Sequence, residues 1–369
     1  MIYTFILFFD IIAVFSFSDG IKNMLYRKAL NEQIFAMTLL CLPIFAFLVG
    51  VNAQRADYEN YLQAFIESPS LFSADFFSYA ISQHNEIGYN YFQSFVKTIG
   101  GSATAFFVLF CFMSLVFRYK FYVAFLSKRD IVIVFLAFFA HEFLRKDCVQ
   151  IRNGFASAIV LYSLVALYQG KRFRFVLTVI LASCFQMTAL VALPLVIART
   201  AVNKKYIKFL RVLFCAACIF TVVFPIKNLL FVFSSVGLLP PAVENYLYWS
   251  KYAISMSLFN PQILKQVTIC AFILKHRRQF FVDKKIFFLF QIYLVSTVYY
   301  LVFRDFEILA GRFGSLFYAV EAPILVLIIE KSKKNLFLKK FVLCGFYFFN
   351  FALNFATYQP MLSWKTEFN

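Results

Sequence analysis

The chain has 369 residues, is 62% hydrophobic and 21% aromatic, and has a mean hydropathy of +0.76; soluble domains are closer to half apolar, so a soluble globular class is excluded. The net charge of +18 raises nucleic-acid binding, but the cations lie in short loops between apolar runs and form no separate basic domain, which excludes that class too. Apolar runs of roughly 17–25 residues recur along the chain. They lack the two-residue alternation of barrel strands, as Phe35–Val51 (FAMTLLCLPIFAFLVGV) illustrates. Backbone polar groups in lipid must be satisfied internally. The expected class is therefore an all-α, polytopic integral membrane protein.

In chain order, the first expected span is Ile2–Phe17; it has no basic leader region and reads as a span rather than a cleaved signal. The second is Ile34–Val51. Residues 52–102 are polar and acid-rich and read as an outer segment, with a helix over Glu86–Ile99 whose apolar residues Ile87, Tyr91, Phe92, Phe95, Val96 and Ile99 recur at helical spacing and suit the membrane surface. Further spans are expected at Ala103–Leu126, Ile131–Leu144 and Gly154–Tyr168, with the stretch around Arg145–Arg152 outside. Phe175–Cys184 and Met187–Ala198 have basic flanks at both ends, which predicts a re-entrant hairpin or two short spans with Gln186 at the tip.

Phe209–Phe233 then leads to an aromatic outer loop, residues 234–261, and spans follow at Gln262–Leu274, Ile286–Phe303, Phe313–Ile329 and Phe341–Phe355. The total is about 12 membrane segments in one domain, residues 1–369, with both termini outside. Of the 36 Lys and Arg, about 25 fall in the loops assigned inside, as the positive-inside bias requires. The eight cysteines lie mostly in apolar runs, and the Cys215–Cys218 pair has no second pair to complete a metal or redox site, so they read as small packing residues.

The outer cations run against the charge bias. If the fourth span continues as α-helix, His141, Arg145, Cys148 and Arg152 share one face. The plain reading is a solvated loop from which Arg145 and Lys146 snorkel to head groups; the functional one is a cationic cradle for phosphate, whose oxygens match guanidinium forks. Arg55 and Asp57 lie just beyond the second span. Glu86 heads the interfacial helix, where a carboxylate also complements the helix dipole. Arg304, Asp305 and Glu307 read as surface ion pairs, whereas Arg312 opens an apolar run. Outer guanidiniums with carboxylates suit displacement of a phosphate-bound group: cations hold the leaving diphosphate and a carboxylate takes the proton of an attacking hydroxyl. Trp249 and its neighbouring tyrosines suit sugar faces, or anchor the interface. The sequence has no Walker A loop, D-x-D pair, H-E-x-x-H or G-x-S-x-G motif, so no metal or cofactor is expected.

At these residues the chain resembles the EpsG-like family of polysaccharide polymerases, which includes many Wzy-type O-antigen and capsule polymerases. RADYENY resembles an R-x-D-x-x-x-Y stretch through Arg55, Asp57 and Tyr61. EIGY matches E-x-G-Y through Glu86, Gly88 and Tyr89. IRNGFA is similar to I-R-Q-x-x-A through Ile151, Arg152 and Ala156, with Asn153 in place of Gln. FQMTALVALP resembles F-H-x-[ST]-A-L…L-P through Phe185, Thr188, Ala189, Leu190 and Pro194, with Gln186 replacing His. Arg312 stands where the family often has a late outer arginine.

The resemblance implies a polymerase in a bacterial inner membrane. It would transfer a growing glycan from undecaprenyl diphosphate onto the non-reducing end of a new lipid-linked repeat unit at the periplasmic face. Implied partners are those repeat units and the bilayer, with a chain-length regulator as an optional third. The expected roles are Glu86 or Asp57 as base; Arg152, Arg312, Arg145 and Arg55 for diphosphate; and Tyr61, Tyr89, Gln186 and Trp249 for sugar. A flippase for the same lipid-linked unit and a glycan ligase or acyltransferase are the alternatives. The single broken pair at Phe175–Ala198, without a counterpart in the other half, speaks against an inverted-repeat transporter.

Overall fold

The computed structural model describes residues 24–52, 57–82, 86–238, 247–248, 254–331 and 336–358. The expected first span, Ile2–Phe17, together with Arg55 and Trp249, lies outside them. The regular elements are helical throughout. Among the described residues, four are long and apolar enough to cross a membrane: α5 (Ala103–Phe125), α7 (Ile151–Tyr168), α9 (Lys204–Val223) and α13 (Lys284–Val302). A fifth is added if α14 (Glu307–Tyr318) and α15 (Glu321–Lys331), bent by 43°, form one span. The protein is a polytopic helical membrane protein.

Two compact units are present, residues 1–193 with 325–369, and residues 194–324. In the first, α1 (Met24–Gly50) and α7 pack on α5. The 23 residues of α5 extend about 34 Å, enough for a hydrocarbon core of ~30 Å. Its start is fixed by Ser102, whose side chain accepts from Ala105 N at 3.2 Å, and extended backbone at Leu126 ends it. Phe106, Phe110 and Phe121 are fully buried along it, and the Phe110 ring meets Phe155 of α7 at 4.4 Å.

Next, α6 (Lys128–Phe138) is buried from Asp130 onward. Its Asp130 pairs with Lys340 of α16 (Leu336–Tyr358) at 3.0 Å. Lys340 and Arg129 each also reach Glu330, at 3.4 Å.

The fourth span does not end at Leu144 in an outer loop. It continues as a π-helix, Phe139–Val149, whose i→i+5 bonding widens each turn. It stops at Gln150 (φ −95°, ψ 59°), before α7. The expected single face of His141, Arg145, Cys148 and Arg152 is therefore broken. Lys146 is buried rather than snorkelling, 4.0 Å from Glu142.

Arg118 of α5 is fully buried. It lies 3.4 Å from Asp147 and 3.8 Å from Glu142, donates to Gly154 O at 3.1 Å and Ser157 Oγ at 3.0 Å, and stacks over Phe138 at 4.3 Å. Ser114 bonds the other Asp147 oxygen. Two cations and two carboxylates thus neutralise one another where either charge alone is expensive. α7 crosses the π-helix closely enough that a Cβ on Gly154 would lie 2.7 Å from Lys146 O.

Helix α8 (Arg172–Ser183) and a 3-10 helix, Met187–Ile197, are separated by a turn at Cys184–Gln186. Their lengths, about 18 Å and about 22 Å, both fall short of the hydrocarbon thickness.

In the second unit, the expected run Phe209–Phe233 is not one helix. Pro225 lacks an N–H and restricts Phe224, so α9 ends at Val223 and α10 (Ile226–Ser235) starts afresh. The expected Phe313–Ile329 span is likewise two helices. α14 begins at Glu307, so Arg312 lies within a helix rather than at a loop end. The break leaves Glu321 buried, accepting from Tyr293 at 2.7 Å and Tyr318 at 2.8 Å. Lys265 of α11 (Pro261–Lys275) is 3.1 Å away. Arg304 and Asp305 are 4.0 Å apart, and they also serve the backbone: Arg304 bonds Thr221 O and Asp305 accepts from Lys227 N.

Arg118→Ala leaves two carboxylates buried without their main cation, a loss of about 3–5 kcal/mol. Thermal unfolding in detergent should show a large drop for this variant, with part of it regained in Arg118→Ala/Asp147→Asn. An unchanged midpoint for the single variant would count against the network.

Candidate functional site

The site is built where three segments meet in the first unit. α4 (Ile87–Thr98) is preceded by Glu86 as its N-cap residue, yet the Glu86 side chain makes no capping bond. Its carboxylate spans two other groups: Arg152 Nη1 donates to Oε2 at 2.7 Å, and Met187 N donates to Oε1 at 3.1 Å. Glu86 is thus more than a dipole complement. It ties the start of α4 to the start of α7 and to the first residue of the 3-10 helix.

The backbone closes the same junction. Gly88 N donates to Cys184 O at 2.8 Å. A Cβ at Gly88 would sit 2.7 Å from that oxygen, so only glycine allows the approach. The Phe185 ring docks edge-on against Phe155, at 4.8 Å, one turn along α7 from Arg152.

Arg152 is held from several sides. Its guanidinium lies 5.5 Å over the Tyr89 ring, and Tyr61 of α2 (Tyr58–Glu67) is a further side-chain hydrogen-bond partner. The Tyr61 and Tyr89 rings are 6.2 Å apart. Tyr89 is completely buried, so its ring supports Arg152 instead of meeting a sugar. The Arg152 side chain stays 25% exposed and that of Glu86 15%, while Arg152 Nε is buried with no hydrogen-bond partner among the described residues. A half-open guanidinium with a carboxylate at 2.7 Å can bind an anionic group and hold or accept a proton beside it.

The remaining expected residues are placed as follows. Asp57 precedes α2 and its side chain makes no capping bond. Gln186 is half-buried in the turn before Met187. Arg145 is half-buried on the π-helix. Arg312 belongs to the second unit.

A family model described as "EpsG family" matches residues 34–366. The chain belongs to the EpsG family. No curated protein and no solved structure matches it. The EpsG family is associated with Wzy-type polymerases, and membership supports a polysaccharide-polymerase-like membrane protein.

For this EpsG-family chain, sequence reasoning passed over Arg118, Glu142 and Asp147, the groups that fix the crossing from which α7 starts. Arg118 stands in the middle of an apolar run, and that alone is a signal: a lone guanidinium at such depth needs carboxylates. Glu142 and Asp147 are the acids of the next hydrophobic run.

Gly88→Ala should force α4 away from Cys184, at about 1–3 kcal/mol, and lower the thermal midpoint. A double-mutant cycle on Glu86→Gln and Arg152→Gln, read by thermal unfolding, should give a coupling of about 1–3 kcal/mol. Strictly additive effects would show that the pair does not hold the junction.

Proposed function

We propose that the protein is a glycan polymerase. It would transfer the growing chain from undecaprenyl diphosphate onto the non-reducing end of a new lipid-linked repeat unit at the periplasmic face of a bacterial inner membrane. The proposal includes twelve membrane segments with both termini periplasmic, which puts residues 52–102 on the side where the lipid-linked substrates are presented. The observation that carries the reading is the Glu86–Arg152 pair, at 2.7 Å, whose partners come from all four segments that resemble family motifs.

In the resting site each charge neutralises the other. An incoming diphosphate competes for the Arg152 fork; Arg145, Arg55 and Arg312 are proposed as further diphosphate-binding cations. Once Arg152 turns to phosphate, Glu86 is released as the base. The acceptor hydroxyl gives its proton to Glu86, its oxygen bonds the anomeric carbon, and the anomeric C–O bond breaks with its electron pair leaving on undecaprenyl diphosphate. Arg152 stabilises the charge that develops there. Met187 N keeps one carboxylate oxygen oriented during the exchange. Tyr61, Gln186 and Trp249 are proposed as sugar contacts, and Asp57 as the group that orients the acceptor.

Arg152→Ala and Glu86→Gln should each lower polymerisation about 10²–10³-fold. The lipopolysaccharide ladder should collapse to single repeats while the protein still accumulates in the membrane. Arg152→Lys keeps the charge but loses the fork and should restore only short chains. A normal ladder in Arg152→Ala sinks the assigned role. A deletion that leaves no repeat on the surface at all would favour the flippase reading instead.

A further inference from the structure

The second unit holds a cavity of about 1120 Å³ beside α9. Six cations line it: Lys204, Lys208, Arg211, Arg277, Arg278 and Lys284. No acidic residue lines it. The only acids between residues 200 and 303 are Glu244 and Asp283, and Asp283 is engaged at the start of α13, accepting from Lys285 N at 2.8 Å.

The remaining walls are apolar and follow a gradient along α9. Three of the cations, Lys204, Lys208 and Arg211, occupy its first turns. The lining then continues through Val212, Cys215 and Ala216 to Ile219, about 22 Å from Lys204 at the helical rise. Val212 and Ile219 are 57% and 62% exposed. Small residues at Cys215 and Ala216 leave a furrow between them.

A free inorganic anion would use the cationic end and leave this furrow bare. An extended polypeptide would need backbone partners, which apolar side chains do not supply. An amphiphile with a charged head and hydrocarbon tails uses both ends. By the charge bias of the sequence these loops face inside, where basic pockets between helices suit anionic head groups.

We propose that this cavity binds an anionic diacyl phospholipid. Its phosphate would sit among Lys208, Arg211 and Arg278, with an acyl chain laid along Val212 to Ile219. The cavity shares no residue with the Glu86–Arg152 pair, and the proposal stands whether or not the polymerase reading does.

The test uses the full-length protein purified in detergent, with native mass spectrometry to count bound lipid and thermal unfolding to read its effect. Phosphatidylglycerol should bind and raise the midpoint, and phosphatidylcholine should do neither. Lys208→Gln/Arg211→Gln/Arg278→Gln should weaken phosphatidylglycerol binding at least tenfold with an unchanged midpoint in lipid-free detergent. Ala216→Trp, which fills the furrow and leaves every charge in place, should weaken it as well and serves as the reading if the triple variant does not fold. Equal binding of the two lipids would overturn the proposal. So would stabilisation by glycerol 1-phosphate equal to that by phosphatidylglycerol, which would mark the site as one for a free phosphate. A dimer that dissociates in Ala216→Trp with no change in lipid binding would give the furrow to a second copy of the chain, and would overturn it too.

Discussion

The first unit depends on the buried guanidinium of Arg118. It faces Asp147 and Glu142 on the π-helix and also binds Gly154 O and Ser157 on α7. One side chain therefore fixes three helical segments at a common crossing. A guanidinium suits this task because its donors diverge in a rigid plane; an ammonium could satisfy the charge but not the geometry. Removing the guanidinium from water is costly, and two carboxylates with two further acceptors offset that cost. The crossing fixes the first turn of α7, and with it the position of Arg152.

The Glu86–Arg152 junction then extends outward from that fixed point. Glu86 forgoes the capping bond that its position at the head of α4 would allow, and spends both oxygens on other segments. The exposed start of α4 is held instead through Gly88 N on Cys184 O. Charge pairing, a backbone bond across a glycine and the Phe155–Phe185 contact converge within one turn of each other. Groups drawn from residues 61, 86, 89, 152 and 187 are separated widely in sequence, so their convergence is a tertiary property.

Much of this was legible beforehand. Apolar length found α5, α7 and α13, helical spacing found α4 to within a residue at each end, and the break at Gln186 was visible from the basic flanks around Phe175–Ala198. The misreadings share a cause. Apolar length carries no information about helix type or continuity, so the π-helix and the breaks at Pro225 and Ala319–Val320 were read as regular span or as loop. The FLRKD stretch contains so many charges that it reads as solvent-facing; in the fold Lys146 and Asp147 are interior because Arg118 and Glu142 meet them there. The pairing of Glu86 with Arg152 has no local signature at all, since it joins residues 66 positions apart.

Helix α4 turns large apolar side chains outward. Ile87, Tyr91 and Phe95, with Ile99 just past its end, are exposed, while Asn90, Gln93 and Ser94 are enclosed beside Tyr89 and Val96. In a water-soluble protein that arrangement would drive the helix to roll over; against hydrocarbon it is the favourable one. With residues 52–102 at the membrane surface, as proposed above, the surrounding solvent would help set the rotation of α4 about its axis and so the aim of Glu86, and a medium that wets α4 would misalign the carboxylate without altering a single residue.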